Sequence, residues 1–354
     1  KEKVIDQETG VSRYELQWIT KAAAEQRKGR AGRTGPGHCY RLYSSAFFDQ
    51  YMTLYNEPEI MNTPLETLLL QMRAMGIADV ENFPFPTSPQ KESINRAIWR
   101  LLSLGALIRS SSASSSSKKH PKIMTEVTQL GREIVKYPVS VNLAKMLVAA
   151  LQTTEATTEY TCSLVAALSE ISPFLTSTRR NKVVEDDGED ENNNQMKVED
   201  EINEENVTKT PLFMHPNSDA MARLRAVGAF AFYCKQDGGT CDRARQLCLS
   251  EGLHEATLSR IGLLYQQLLA LCSKFRPDLN LQGGLALRPP TPEDQTLLRR
   301  ILLMGHCDHV ARRMLPSDVS QFYGEGISRR RRLTAYQSCD GAVKQPLYIH
   351  PDSA

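Results

Sequence analysis

Gln26-Arg27-Lys28-Gly29-Arg30-Ala31-Gly32-Arg33-Thr34-Gly35-Pro36-Gly37 sets three guanidinium groups, on Arg27, Arg30 and Arg33, three residues apart and interleaved with glycine. Glycine lets a backbone come close to a ligand, and the planar fork of Arg makes two parallel charge-assisted bonds to a phosphate. Phosphoryl transfer builds charge on the γ-phosphate oxygens, which an arginine finger stabilises by roughly 10³–10⁵ in rate. By composition alone the stretch reads equally as a basic Gly-rich surface loop of the sort found in RNA-binding proteins.

Around this stretch lie 354 residues with 43 Lys+Arg, 41 Asp+Glu and 41% apolar residues, the profile of a soluble globular chain of several domains. No run of about 18 apolar residues exists, so an integral helical membrane protein is excluded. Eight cysteines form no Cys-x-x-Cys pair, which points away from zinc ribbons and disulfide scaffolds and towards a reducing compartment. The chain opens Lys1-Glu2-Lys3 and reads as starting within a longer protein. The net charge of +2 conceals a segregation. Glu185 to Glu205 holds eleven acidic residues and one Lys, a local −10, which leaves +12 elsewhere and points to a polyanionic partner.

Residues 3–20 read as a hairpin turning at Gln7-Glu8-Thr9-Gly10, its return arm alternating Tyr14, Leu16 and Trp18 with polar residues. Cys39-Tyr40-Arg41-Leu42-Tyr43 reads as a strand. Thr63 to Gly76 predicts a helix with a Thr63/Glu66 capping box, Pro64 in the first position, an apolar side of Leu65, Leu68, Leu69, Met72 and Met75, and a stop at Gly76. After a Pro-rich loop, Ile94, Ala97, Ile98, Leu101 and Leu102 mark a second helix ending at Gly105, and Ala106-Leu107-Ile108 a short strand. Ser110–Ser117, with Lys118-Lys119 behind it, is low-complexity loop. Val139 to about Arg313 is helical in pattern, broken by the acidic stretch, which has no sustained periodicity and reads as a disordered insertion over 177–210. A β-module begins after Arg313.

The order of residues narrows the reading. Gln-Arg-x-Gly-Arg-x-Gly-Arg is the sixth motif of superfamily 2 helicases, and its continuation Thr34-Gly35-Pro36-Gly37-His38-Cys39-Tyr40-Arg41-Leu42-Tyr43 resembles the DEAH-box branch. So do Glu59-Ile60, Leu68-Leu69-Leu70-Gln71-Met72, Asn82-Phe83-Pro84-Phe85-Pro86-Thr87, Leu104-Gly105-Ala106-Leu107, Leu130-Gly131-Arg132, Leu143-Ala144-Lys145-Met146-Leu147, Glu251-Gly252-Leu253-His254 and the closing Tyr348-Ile349-His350-Pro351-Asp352-Ser353. The resemblance spans nearly the whole chain.

It implies a mostly α, multi-domain C-terminal piece: the end of a second α/β RecA-like domain (1–56), a winged helix (57–138), a helical ratchet domain (139–313) and the start of an OB-fold (314–354). It implies ATP and Mg²⁺ as cofactors. Gln26, Gly29, Arg30 and Arg33 would bind ATP, with Arg30 and Arg33 as catalytic fingers, and Gln7, Glu8, Thr9 and Gly10 would be the tip of a strand-separating hairpin. The wording of residues 26–30 and 42–47 is most similar to helicases of pre-ribosomal RNA maturation. That implies a partner RNA of the pre-rRNA or snoRNA-containing pre-ribosome kind, a G-patch-type activator, no membrane, and a nuclear, finer nucleolar, location. A splicing helicase of the same family and a non-catalytic helical RNA-binding adaptor are the alternatives. No Gly-x-x-x-x-Gly-Lys-[Ser/Thr] and no Asp-Glu-Ala-His occurs, so these 354 residues are expected not to hydrolyse ATP alone.

Weaker signals resolve to structure. His306-Cys307-Asp308-His309 lacks a second ligand pair, so no metal site is expected and the cluster reads as a helix end. Cys234, Cys241 and Cys248 read as packed thiols. The basic run Arg329–Arg332 is either a phosphate contact or localisation signal, or an exposed loop. Tyr265 stands where many family members carry Arg, in a helix expected to end at Gln267-Leu268.

Overall fold

The computed structural model describes residues 2–5, 12–61, 63–77, 79–80, 82–109, 125–175, 213, 215, 218–238, 241–284, 288–315, 317–319, 334–339 and 345–349. They form two compact units, one built on Lys1–Gly131 and the other on Arg132–Cys339 with Gln345–Ala354.

The first unit opens with antiparallel strands β1 (Glu2–Ile5) and β2 (Ser12–Glu15), paired from Glu2↔Glu15 to Ile5↔Ser12. The turn Gln7–Gly10 lies outside the described residues. The return strand stops at Glu15 rather than running on to residue 20, and Leu16 and Trp18 are exposed. Helix α1 (Lys21–Lys28) follows, capped by Thr20, whose Oγ1 accepts from the Ala23 amide at 3.2 Å. A short α2 spans Ser45–Gln50. The expected strand at 39–43 does not form. Among the described residues nothing pairs with it, and Leu42 is fully exposed.

Further on, α3 (Leu65–Ala74) packs on α4 (Lys91–Ser103), and the hairpin β3 (Leu107–Arg109) and β4 (Thr125–Val127) closes against them. Leu65, Leu69, Leu70 and Met72 of α3 meet Ile94, Ala97, Ile98 and Leu101 of α4 in the core. Three details of the expected helix are corrected. Thr63 does not cap it, because its hydroxyl donates to the Glu59 carbonyl at 2.6 Å, and Glu66 pairs with Arg100 at 2.7 Å instead of closing a box. The helix begins at Leu65, not Pro64. Met75, expected on the apolar side, is exposed: the helix ends at Ala74, and beyond it Gly76 (φ +88°) turns the chain so that the Ile77 amide reaches back to the Met72 carbonyl. Gly131, at the start of α5 (Gln129–Ile134), is required by packing: any Cβ there would collide with the Ala106 carbonyl. The Ser-rich loop and Lys118-Lys119 fall outside the described residues.

The second unit is a helical sheath around α7 (Glu155–Ser169), whose residues Thr157 to Ala167 are all buried. Helices α6 (Val141–Ala150), α8 (Asp219–Gln236), α10 (Glu255–Phe275) and α11 (Pro292–Gly305) pack on it, and α9 (Asp242–Glu251) leans on α8. A helix buried all round needs internal outlets for its hydroxyls. Thr158 and Thr161 donate to the carbonyls of Thr154 and Thr157, four residues back, at 2.9 and 2.7 Å. Thr291 and Asp294 form a full capping box on α11, with Pro292 in the first turn. Helix α10 runs to Phe275, past the Gln267-Leu268 expected as its end, because Leu268 and Cys272 continue the buried stripe.

A three-stranded antiparallel sheet closes this unit, in the order β5 (Ala311–Arg313), β6 (Ala335–Ser338), β7 (Leu347–Tyr348), over a small core of Met314, Val319 and Ala335. The acidic stretch and Arg329–Arg332 lie outside the described residues.

Candidate nucleotide-facing loop

The site grows out of α1. Its first amides are satisfied by backbone, Lys21 N on the Thr53 carbonyl at 2.8 Å and Ala22 N on that of Leu54 at 3.0 Å, which anchors the helix start. Its last turn carries Gln26, Arg27 and Lys28, all exposed. The chain then leaves through two tight turns, Arg30 N to the Arg27 carbonyl at 3.0 Å and Ala31 N to that of Lys28 at 3.1 Å.

The loop is locked backbone on backbone. Gly32 adopts φ +82°, a left-handed conformation glycine accepts freely. A Cβ on Gly37 would stand 2.6 Å from the Gly32 nitrogen and 3.2 Å from the Ala31 carbonyl carbon, so only glycine fits. Gly35 has open space instead. Gly32 and Gly37 thus close the loop, and Gly35 stands open.

Gln26, Gly29, Arg30 and Arg33 lie together on this helix end and loop, all exposed, and among the described residues neither Arg30 nor Arg33 pairs with a protein acid. The nearby carboxylate is already committed. Glu25 accepts from Arg41 and pairs with Lys28 at 3.3 Å, and the Arg41 hydrogen bond, then the Lys28 one, holds its carboxyl below the usual range. Arg41 in turn stacks 4.5 Å over the Phe48 ring of α2. Composition did not reveal this Glu25–Arg41–Phe48 tether, because it joins residues across the segment expected as a strand. An exposed pair of unpaired guanidiniums on a rigid loop can bind a phosphate group in two forks.

Residues 140–223 match the family model of the helicase associated domain (HA2), ratchet-like. The chain is similar over its whole length to the probable ATP-dependent RNA helicase kurz of Drosophila melanogaster, at 34% identity over 354 residues, 27% of that protein. It is likewise similar to human probable ATP-dependent RNA helicase DHX37, at 32% over 357 residues and 28% of that protein. Probable ATP-dependent RNA helicase DHR1 of Saccharomyces cerevisiae is 40% identical over 175 residues, 49% of this chain and 12% of that one. The chain belongs to the DEAH-box RNA helicases. It spans about a quarter of the length of the first two relatives.

Tyr265 stands out by its surroundings. It lies on α10 with its hydroxyl buried and without a hydrogen-bond partner among the described residues. Burial, and then the Glu159 charge, pushes its pKa up. Glu159 itself, 1% exposed on α7, accepts from the Gly283 amide at 2.8 Å. The helix-end reading of residues 306–309 agrees with the geometry: His306 Nδ1 lies 3.2 Å from the Leu302 carbonyl, and Asp308 Oδ1 lies 3.0 Å from His309 Nδ1 and accepts from Asn142 at 3.1 Å. Among the described residues no group of three or more His, Cys, Asp or Glu is placed to hold a metal ion, and no helix is long and apolar enough to cross a membrane. Of the three spaced cysteines, Cys248 is buried and Cys234 and Cys241 are half-buried.

Proposed function

We propose that the chain is part of an ATP-dependent RNA helicase in which Arg30 and Arg33 act as arginine fingers on the γ-phosphate and Gln26 and Gly29 line the same site. The observation that carries this reading is the pair of unpaired, exposed guanidiniums on a loop fixed by the Gly32–Gly37 contact. Glu25, the acid that could have neutralised them, is held by Arg41 and Lys28. Such a loop fits a triphosphate. When bound, ATP with Mg²⁺ supplies the phosphoryl group and the hydrolysis energy, and the residues here orient the γ-phosphate and offset its developing charge.

The domain reading extends this proposal. Residues 1–56 are the end of a RecA-like domain, 57–138 a winged helix, 139–313 the ratchet and 314–354 the beginning of an OB-fold. Exposed Tyr40, Leu42, Tyr51, Leu54 and Tyr55 in the first of these form the apolar surface that a larger α/β domain would cover. Nucleotide-driven closure would move single-stranded RNA held through its backbone, with salt-dependent, weakly sequence-specific affinity. The wording of residues 26–30 and 42–47, which resembles helicases of pre-ribosomal RNA maturation, favours pre-ribosomal RNA as substrate, and with it a nucleolar location and a G-patch-type activator.

The test is RNA-stimulated ATPase of the full-length protein carrying Arg30→Ala or Arg33→Ala. Turnover should fall about 10³-fold, with ATP affinity far less affected. Wild-type turnover in both variants would remove the finger assignment.

A further inference from the structure

From Leu16 to Phe48 the chain carries six Lys and Arg residues and a single acid, Glu25. The cations that hold this carboxylate are neutralised, and the others stay available to an anionic ligand. The fold gives it to Arg41 as well as to the neighbouring Lys28. Arg41 Nη2 donates to Glu25 Oε1, and Lys28 Nζ stands 3.3 Å from Oε2.

Proximity along the chain would favour a different partner. Glu25 and Arg41 are 16 residues apart, whereas Arg30 follows Glu25 just past the end of α1. Five residues of helix rise only roughly 7.5 Å, a gap that a glutamate and an arginine side chain close between them. The turn at the helix end keeps Arg30 there, with its amide on the Arg27 carbonyl at 3.0 Å.

Arg41 has a support that Arg30 lacks. Its guanidinium lies 4.5 Å over the Phe48 ring of α2, and its side chain is only 27% exposed. The stack orders a long side chain in advance, so less conformational entropy is lost when the acid is engaged. Phe48 is itself held, with Tyr43 stacked at 6.2 Å and Lys21 Nζ at 5.6 Å from the ring. Arg30, on the exposed loop, has no such ring beneath it among the described residues.

We infer that Arg41 is a positioning residue for the phosphate site: seated on Phe48, it holds Glu25 off Arg30 and leaves that guanidinium free for the γ-phosphate. This role rests on the finger reading above and extends it to residues outside the loop. Without Arg41, Glu25 turns to Arg30, and the finger is neutralised before ATP arrives.

The test is RNA-stimulated ATPase of the full-length protein in Arg41→Gln, Arg41→Lys, Glu25→Gln, the double variant Glu25→Gln/Arg41→Gln, and Arg30→Ala, measured side by side. Arg41→Gln should lower kcat about tenfold while KM for ATP stays within about threefold. Arg41→Lys, which keeps the charge without the fork, should lose less. Glu25→Gln alone, and the double variant, should both stay within about twofold of wild type, because removing the acid removes what Arg41 restrains. Circular dichroism checks folding, and if Arg41→Gln does not fold, Arg41→Lys with and without Glu25→Gln makes the same comparison. A loss in Arg41→Gln that persists in the double variant makes Arg41 a structural residue and overturns the role. Wild-type turnover in both Arg41 variants beside lost turnover in Arg30→Ala overturns it too, and leaves the finger standing. Wild-type turnover in Arg30→Ala removes the finger itself, and this role with it.

Discussion

Gly37 rests against the amide of Gly32 so closely that a methyl group between them would lie 2.6 Å from the Gly32 nitrogen. This contact sets the path of the loop that carries Arg30 and Arg33. Gly37→Ala should therefore behave as a finger mutant without touching a guanidinium. In the full-length protein, RNA-stimulated turnover is expected to drop about 10²-fold, the scale of a displacement near 1 Å at a catalytic centre. Gly35→Ala, which enters open space, should stay within about twofold of wild type. Steady-state ATPase on the two variants checks the contrast, and equal rates would show that the loop tolerates rearrangement.

At the other end of the chain, Gly305 seats α11 on α6. A Cβ there would meet Met146 Cγ at 2.5 Å and the Asn142 carbonyl at 2.7 Å. Gly305→Ala should destabilise the second unit by about 2 kcal/mol, visible as a lower urea midpoint, since one neighbour is backbone and cannot give way.

Tyr265 gives a prediction of opposite sign. Its hydroxyl is buried without a partner, so Tyr265→Phe removes a desolvated polar group and keeps the ring. Stability should rise by about 1 kcal/mol. A fall of similar size would mean that the hydroxyl is satisfied in solution.

His306 should make stability depend on pH. Burial, chiefly, lowers its pKa below 6.5, with His309 adding to the effect; the Leu302 carbonyl and Asp308 oppose it. The folded state therefore binds fewer protons than the unfolded one. The stabilisation this histidine confers is complete above 6.5 and is lost as pH falls from there through the lower folded value. His306→Gln should flatten that slope, measured as urea midpoints between about pH 7.5 and 5.5.

These cases show where the sequence was readable. The apolar spacing of Ile94, Ala97, Ile98 and Leu101 found α4 because a helix buried on one side writes its period directly into the chain. Spacing failed at Cys39–Tyr43, where alternation is present but the described residues supply no strand to pair with. It failed again at Thr63 and Glu66. A capping box is a local pattern, and the charge on Arg100, 34 residues away from Glu66, outcompeted it. Strand β4 escaped notice since three residues after a Ser-rich loop carry no period.

The candidate site was legible in its residues and not in its geometry. Gln26, Arg30 and Arg33 stand out by order alone, whereas the Gly32–Gly37 contact and the capture of Glu25 by Arg41 depend on a fold-back. The burial of Arg96 Nη1 was invisible for a related reason: nothing in the local sequence separates a guanidinium nitrogen in water from a buried one.

Helix α7, wrapped on every side, imposes an order on synthesis. Cys162 on α7 lies 3.6 Å from Cys272 on α10, across 110 residues of chain. At a ribosome adding roughly 5–20 residues per second, α7 emerges some 5–20 s before α10 exists to cover it. For that interval it is a threonine- and alanine-rich segment with no surface of its own. Nascent chains stalled between Ser169 and Glu255 would expose what the finished protein hides most completely, making that window the natural point for a chaperone to act.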